Sequence, residues 1–103
     1  MKKIINGFRY DTTTAEKVCS IFTGVGHSDF SCIDADLYRT KRSKTFFLAG
    51  WGGAMTVFSH SCGDGTYCGQ STIVPLSVKD ARRFAEKHAT VEVVEKFFDI
   101  KEA

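Results

Sequence analysis

The chain has 103 residues, of which 43% are hydrophobic and 13% aromatic, so it is long and apolar enough for one domain with its own core, and intrinsic disorder is excluded. Its formal net charge of +2 is smaller than a dedicated nucleic-acid-binding domain usually carries, and its sign excludes a protein that mimics DNA. No apolar run approaches the roughly 18 residues of a membrane span, and the amino-terminal residues show no signal peptide. We therefore expect a cytoplasmic protein.

The four cysteines, Cys19, Cys32, Cys62 and Cys68, bear on the same question of compartment. Cytoplasmic proteins keep their thiols reduced, so we expect all four to be free. An alternative stays open for Cys62 and Cys68, because their close spacing in a turn-rich segment would also let them oxidise.

The amino-terminal third predicts a strand followed by a helix. Residues 4–10 begin as a strand, and the Asn6-Gly7 pair within them favours a small hairpin or a bulge. Thr13 followed by Glu16 fits a capping box, in which the two side chains satisfy the free amides of a helix end. The apolar residues that follow at helical spacing are Ala15, Val18, Cys19 and Phe22.

The middle of the chain predicts two strands joined as a hairpin. Residues 29–36 alternate loosely and lead into residues 37–56, which have the pattern of a β-hairpin with a basic tip that runs into a glycine turn. Residues 45–49 are apolar on both faces, which is typical of a central strand. Residues 57–70 are rich in glycine and polar side chains and predict a long surface loop.

The carboxy-terminal third predicts a last strand and two helices. Residues 71–76 form the strand, and Pro75 places its end at a sheet edge or boundary. Ser77 with Asp80, and then Thr90, are helix-capping residues that precede amphipathic segments. The predicted order is β-α-β-β-β-α-α, a single α+β domain of all 103 residues, in which a small antiparallel sheet has helices packed on one face.

The basic hairpin tip is the strongest functional signal. Four of the fourteen lysines and arginines stand within six positions. Tyr38 directly precedes them, and the only tryptophan, Trp51, follows closely in sequence. Clustered cations attract phosphates or an acidic protein groove, and Trp, Tyr and Arg are frequent anchors of protein interfaces. The predicted partner-binding residues are Tyr38, Arg39, Lys41, Arg42, Lys44 and Trp51. Two alternatives stay open. The first is that the cations belong to an ordinary solvent-exposed hairpin end, where they discourage edge-to-edge pairing of strands. The second is that Trp51 is a core residue packed against the helices.

The cysteine-rich segment suggests zinc, but its spacing is unfavourable. His60, Cys62 and Cys68 are suitable ligands. Five residues separate the two cysteines, whereas paired ligands of structural zinc usually have about two to four between them. A fourth ligand would have to be His27 or Cys32, which are distant in sequence. We therefore predict no metal site here.

No other motif indicates catalysis. A cysteine nucleophile paired with a histidine needs an activated thiol, and nothing beside these cysteines marks one. The acidic residues Asp29, Asp34 and Asp36 suggest a cation site, but Asp34 and Asp36 share one face of a predicted strand, and a solvated strand face explains them. The glycines of GWGG precede a β-prone run rather than a helix, so they are not a phosphate-binding loop. We predict a non-enzymatic protein without cofactor or metal.

Five segments, INGFRYDTTTAE, SDF, LYRTK, FFLAGWGGAMT and IVPLSVKDARRFAEKH, together resemble a family of small proteins found on phages and other bacterial mobile elements. The resemblance is collinear and covers most of the chain. The sequence departs from the family pattern at Trp51, where an acidic residue is expected, and at Phe84, where a tryptophan is expected. Small phage proteins of this size are often inhibitors of host defence, and anti-CRISPR proteins are the best-known class.

The resemblance implies an inhibitor that binds a host defence protein, with a CRISPR effector complex as the expected partner, in the cytoplasm of the bacterial host and away from membranes. The alternative is a nucleic-acid-binding accessory protein, which would use the same basic hairpin to contact phosphates.

Overall fold

The computed structural model describes residues 1–26 and 28–103. The described residues form eight strands and two helices, and every paired strand is antiparallel. The strands are β1 Lys2–Ile5, β2 Phe8–Asp11, β3 Glu16–Thr23, β4 Ile33–Arg39, β5 Phe46–Gly52, β6 His60–Gly63, β7 Thr66–Cys68 and β8 Gln70–Leu76, and the helices are α1 Val78–His88 and α2 Val91–Phe97. None of the described helices is long and apolar enough to cross a membrane.

The main sheet has the strand order β3-β4-β5-β8, and β5 is buried on both faces. Phe46 and Leu48 belong to a core that includes Ala81 and Ala85 of α1. Phe47, which alternates with them, belongs to a second core on the opposite face. The expected α+β fold with helices on one face is therefore confirmed, as is the prediction of a central strand at residues 45–49.

A hairpin of β1 and β2 covers part of the face that the helices leave open. Asn6 and Gly7 both have positive φ, at 51° and 82°, which is the geometry that a two-residue hairpin turn requires. Tyr10 is buried and its ring contacts the ring of Phe47 edge-on, with centroids 5.4 Å apart. The hairpin predicted from the Asn-Gly pair is confirmed, and it covers the second core.

The helix predicted after residue 15 is wrong, because residues 16–23 form strand β3. A β-bulge between Lys17 and Cys19 shifts the register and brings Val18 and Ile21 into the same core. A spacing of three along a bulged strand therefore imitates helical periodicity.

The predicted capping box between Thr13 and Glu16 is also wrong. The Asp11 carboxylate accepts hydrogen bonds from the Thr13 backbone amide at 2.9 Å and from the Thr13 hydroxyl at 2.7 Å. The carboxylate thus closes a turn before β3 rather than a helix end. Glu16 forms an ion pair with Arg39 instead.

Two further segments, and the state of two cysteines, differ from the predictions. Strand β4 begins at Ile33, because residues 29–32 form a turn in which the Cys32 amide donates to the Asp29 carbonyl at 3.1 Å. Residues 57–70 are not one long loop, since β6 and β7 pair as a hairpin. Cys62 and Cys68 of that hairpin are joined by a disulfide, so the expectation of four free thiols is wrong for this pair.

The glycine-rich GWGG segment belongs largely to β5 rather than to a turn. Gly50 and Gly52 both pair with neighbouring strands. A Cβ atom at Gly52 would overlap the ring of the fully buried Phe58, so this position is small in order to admit an aromatic side chain into the core.

The carboxy-terminal predictions are confirmed. Strand β8 lies at a sheet edge with Pro75 opposite Phe47, where the missing amide of proline costs no ladder bond. The Ser77 hydroxyl accepts from the Asp80 amide at the start of α1, and the Thr90 hydroxyl accepts from the Val93 amide at the start of α2.

The Asp11 and Asp29 turns predict an acid-sensitive fold. Hydrogen bonds from the hydroxyl and amide of Thr13 hold the pKa of Asp11 below its usual 3.8, and bonds from Ser31 and Val25 do the same for Asp29. A lowered pKa in the folded state stabilises the fold above the unfolded-state value, and this stability is lost as the pH falls through the folded-state pKa. Asp11→Asn and Asp29→Asn should lower the urea midpoint at about pH 6 and differ less from the parent protein at about pH 2.

Asp99→Asn is the control for this experiment, because Asp99 is exposed beyond α2 and should leave the urea midpoint nearly unchanged at both pH values. A constant difference between the Asn variants and the parent protein across the pH range would contradict the prediction.

Candidate partner-binding surface

Residues 40–45 connect β4 to β5 and form a tight loop, called here the basic loop. The Thr40 amide donates to the Thr45 carbonyl at 2.8 Å, and the Thr45 amide donates to the Thr40 hydroxyl at 2.9 Å. The Ser43 hydroxyl lies 2.9 Å from that of Thr40 and 3.0 Å from that of Thr45. These bonds fix the backbone of the loop, so its cationic side chains start from a defined position.

The cations of the basic loop are Lys41, Arg42 and Lys44, and all three are exposed. Within the described part of the chain, none of them lies within 4.0 Å of a carboxylate oxygen. Three positive charges are thus held together at one end of the sheet without an acidic neighbour in contact. The structure brings these three predicted residues together, and their role in binding stays a prediction.

Arg39 is not part of the basic loop, although it is close in sequence. Its Nη2 atom lies 3.3 Å from Oε2 of Glu16, and its guanidinium carbon lies 4.6 Å from the centre of the Phe97 ring. The side chain is only 17% exposed. Arg39 therefore connects the sheet to α2, and its position is suited to packing rather than to contact with a partner.

Tyr38 also supports the fold more than it forms a surface. Its ring stacks on Phe47 with centroids 5.3 Å apart and an interplanar angle of 15°. Burial raises the pKa of its hydroxyl, and the negative charge of Asp36 adds to this effect. Tyr38 lies beneath the basic loop as part of the second core.

Trp51 lies at the other end of β5 from the basic loop, so the structure does not bring this predicted binding residue together with the three loop cations. Trp51 lies five positions after Phe46 along the strand, which corresponds to roughly 17 Å. Trp51 is half-buried and stands opposite Asp34 and Ser71. By strand alternation it shares the face of Phe47, so it is not packed against the helices either.

An exposed aromatic residue does lie beside the basic loop, and the sequence did not reveal it. The hairpin of β1 and β2 projects over the same end of the sheet, and a cleft of about 530 Å³ separates it from the basic loop. We call this space the basic cleft, and Phe8 and Arg9 line it together with Lys41 and Arg42. Residues 8–9 and 41–42 are far apart in sequence, and only the packing of the hairpin on β5 brings them together.

The described residues that the sequence analysis considered for zinc binding or for thiol catalysis do not come together as either kind of site. Cys62 and Cys68 are joined to each other, Cys32 is buried, and His27 lies outside the described residues. Burial raises the pKa of the Cys19 thiol, with a further contribution from the charge of Asp36, which disfavours the nucleophilic thiolate.

The acidic residues named as a possible cation site are engaged within the protein. Asp29 accepts hydrogen bonds from the amide and hydroxyl of Ser31, and Asp36 lies 3.6 Å from the Lys17 ammonium. Across residues 1–26 and 28–103, no three His, Cys, Asp or Glu side chains form a group that could hold a metal ion.

Comparisons with protein-family models, with curated proteins and with solved structures found no match to this chain.

The location of Arg39 predicts that two arginines three positions apart have different roles. Arg39→Ala should lower the free energy of unfolding by about 1–2 kcal/mol, because it removes a partly buried ion pair and a cation–π contact. Arg42→Ala, the matched control in the basic loop, should change it by less than about 0.5 kcal/mol. Urea denaturation measures both values, and equal losses for the two variants would show that Arg39 does not hold α2 to the sheet.

Proposed function

We propose that this protein is a non-enzymatic inhibitor of a bacterial defence system, encoded by a phage or mobile element, that binds a CRISPR effector complex through its basic loop. The observation that carries the proposal is the presence of three exposed cations on one hydrogen-bonded loop without a carboxylate in contact among the described residues. The class of partner comes from the family resemblance of the sequence.

The geometry of the basic loop favours binding to an acidic or phosphate-rich surface. Because the loop backbone is already fixed by its own hydrogen bonds, little backbone entropy is lost when a partner docks. Positive charges at one end of the molecule also accelerate the encounter with a negatively charged partner. Occlusion of such a surface requires no chemical step by the inhibitor.

The proposed place of action is the cytoplasm of the bacterial host. Disulfides are uncommon in that compartment, and the Cys62–Cys68 bridge disagrees with it. The bridge closes only the exposed β6–β7 hairpin. The main sheet and the basic loop lie outside that closed segment, so reduction of the bridge would leave the proposed binding surface in place.

The test is a charge reversal of the loop in which Lys41, Arg42 and Lys44 are all changed to Glu. The parent protein, expressed in strains that each carry one active CRISPR system, should restore plaque formation by a targeted phage in at least one strain. The triple variant should bind the matching purified effector about tenfold more weakly or worse, a loss of roughly 1.4 kcal/mol, and should restore fewer plaques. Arg39 is left unchanged because its loss would disturb the fold.

The matched control changes Lys79, Lys87 and Lys101 to Glu. These lysines are exposed and lie outside the basic loop, so the control alters the net charge by the same amount. The control should keep both inhibition and binding. Equal losses for the two triple variants, or no restoration of plaques in any strain, would contradict the proposal.

The second candidate function is a nucleic-acid-binding accessory protein, and the exposed Phe8 beside the cations of the basic cleft favours it. Binding to DNA or RNA through the three loop cations should weaken with salt along a log–log slope of roughly −2 to −3, which corresponds to about 0.7 for each phosphate contact of a single strand and about 0.9 for each one of a duplex. A salt-independent affinity for DNA would contradict this candidate.

A further inference from the structure

We propose that the basic cleft binds a single strand of nucleic acid, with its phosphates on Arg9, Lys41 and Arg42 and one base stacked on Phe8. The inference rests on the proposed function, because it names what the basic loop meets in a nucleic-acid-bound effector. It extends the binding surface from the loop to a second chain segment, the β1–β2 hairpin.

The two walls of the basic cleft are held independently. One wall is the hairpin, whose turn is set by Asn6 and Gly7 and whose base is fixed by the contact of Tyr10 with Phe47. The other wall is the basic loop with its own hydrogen bonds. The volume between them, about 530 Å³, lies in the range of natural ligand pockets. The cleft is therefore a feature of the fold.

Cations outnumber carboxylates in the basic cleft. Arg9, Lys41 and Arg42 line it, and among the described residues Asp11 is the one carboxylate that does so. Asp11 is buried, and its Oδ1 atom already accepts two hydrogen bonds from Thr13. The remaining positive charge suits a ligand with several negative charges in a row, as a phosphodiester backbone has.

Phe8 adds a flat apolar surface to this positive cleft. Its side chain is 61% exposed, and Arg9 lines the same cleft. In single-strand-binding proteins an aromatic ring stacks on a base while neighbouring cations contact the adjacent phosphates. Phe8, Arg9 and the facing loop cations provide this combination.

A single strand fits these features better than a duplex or an acidic polypeptide does. A duplex stacks its bases on one another, so Phe8 would find no free base face. A polypeptide of acidic residues alone would satisfy the cations through its carboxylates, but it has no aromatic ring to stack on Phe8. An unstacked strand uses both the charge and the ring.

The experiment measures fluorescence anisotropy of the full chain with a labelled thymidine oligonucleotide of about ten residues. The same strand annealed to its complement tests the duplex, and a labelled polyglutamate of equal charge tests the acidic polypeptide. We expect the single strand to bind most tightly, with a log–log salt slope of roughly −2 from three phosphate contacts. Tighter or equal binding of the duplex or of polyglutamate, or no binding of the single strand, would overturn the inference.

The variant Phe8→Ala tests the stacking directly. It should weaken binding of the single strand about tenfold, while Phe22→Ala, which removes a similarly exposed ring from β3 (57% exposed), should not weaken it. Arg9→Ala should reduce the magnitude of the salt slope by about 0.7. Equal affinities of the Phe8→Ala and Phe22→Ala variants would overturn the stacking, and urea midpoints establish that both variants are folded.

The plaque experiment separates this inference from the proposed function. A protein that restores plaques but binds no single strand disproves the inference and leaves the inhibitor role intact. A protein that binds the single strand through Phe8 but restores plaques in no strain disproves the inhibitor role and leaves the inference intact.

Discussion

The burial of β5 on both faces is the constraint on which the rest of the structure depends. Phe46, Phe47 and Leu48 are at most 3% exposed, and full burial of each such side chain contributes about 1.5–3 kcal/mol. A strand that is apolar on both sides needs a cover on each side. The helices cover one face, and the short amino-terminal hairpin covers part of the other.

The two covers differ in size, and this difference creates the candidate site. Helices α1 and α2 close their face with a continuous core. The strands β1 and β2 have only four residues each, a length of about 13 Å, so they cover only the part of the other face around Phe47, Ala49 and Ile73. A cover this short leaves its own tip, with Phe8 and Arg9, standing beside the loop. The basic cleft thus forms because one face of β5, which is apolar on both faces, is covered only by the short β1–β2 hairpin.

Local rules predicted those parts of the fold in which local chemistry decides the structure. The turn at Asn6-Gly7, the caps at Ser77 and Thr90 and the edge position of Pro75 each depend on a few neighbouring atoms, and all were predictable. Strand β3 was not, because its bulge gives buried positions a spacing of three that also fits a helix.

The candidate site was only partly predictable, for the same reason. The basic loop was visible as a charge cluster. Arg39 and Arg42 look alike in sequence, but Arg39 lies on strand β4 and contacts Glu16 and Phe97, whereas Arg42 lies in the loop and is exposed. Trp51 is close to the basic loop in sequence, but the five strand positions from Phe46 to Trp51 span roughly 17 Å. Phe8 was hidden by its distance in sequence from the loop. Which residues lie next to a binding surface is decided by how the sheet packs. Here two separate turns hold the β1–β2 hairpin and the basic loop in place. Their cations and the Phe8 ring are therefore positioned before a ligand binds, so that little entropy is lost on binding.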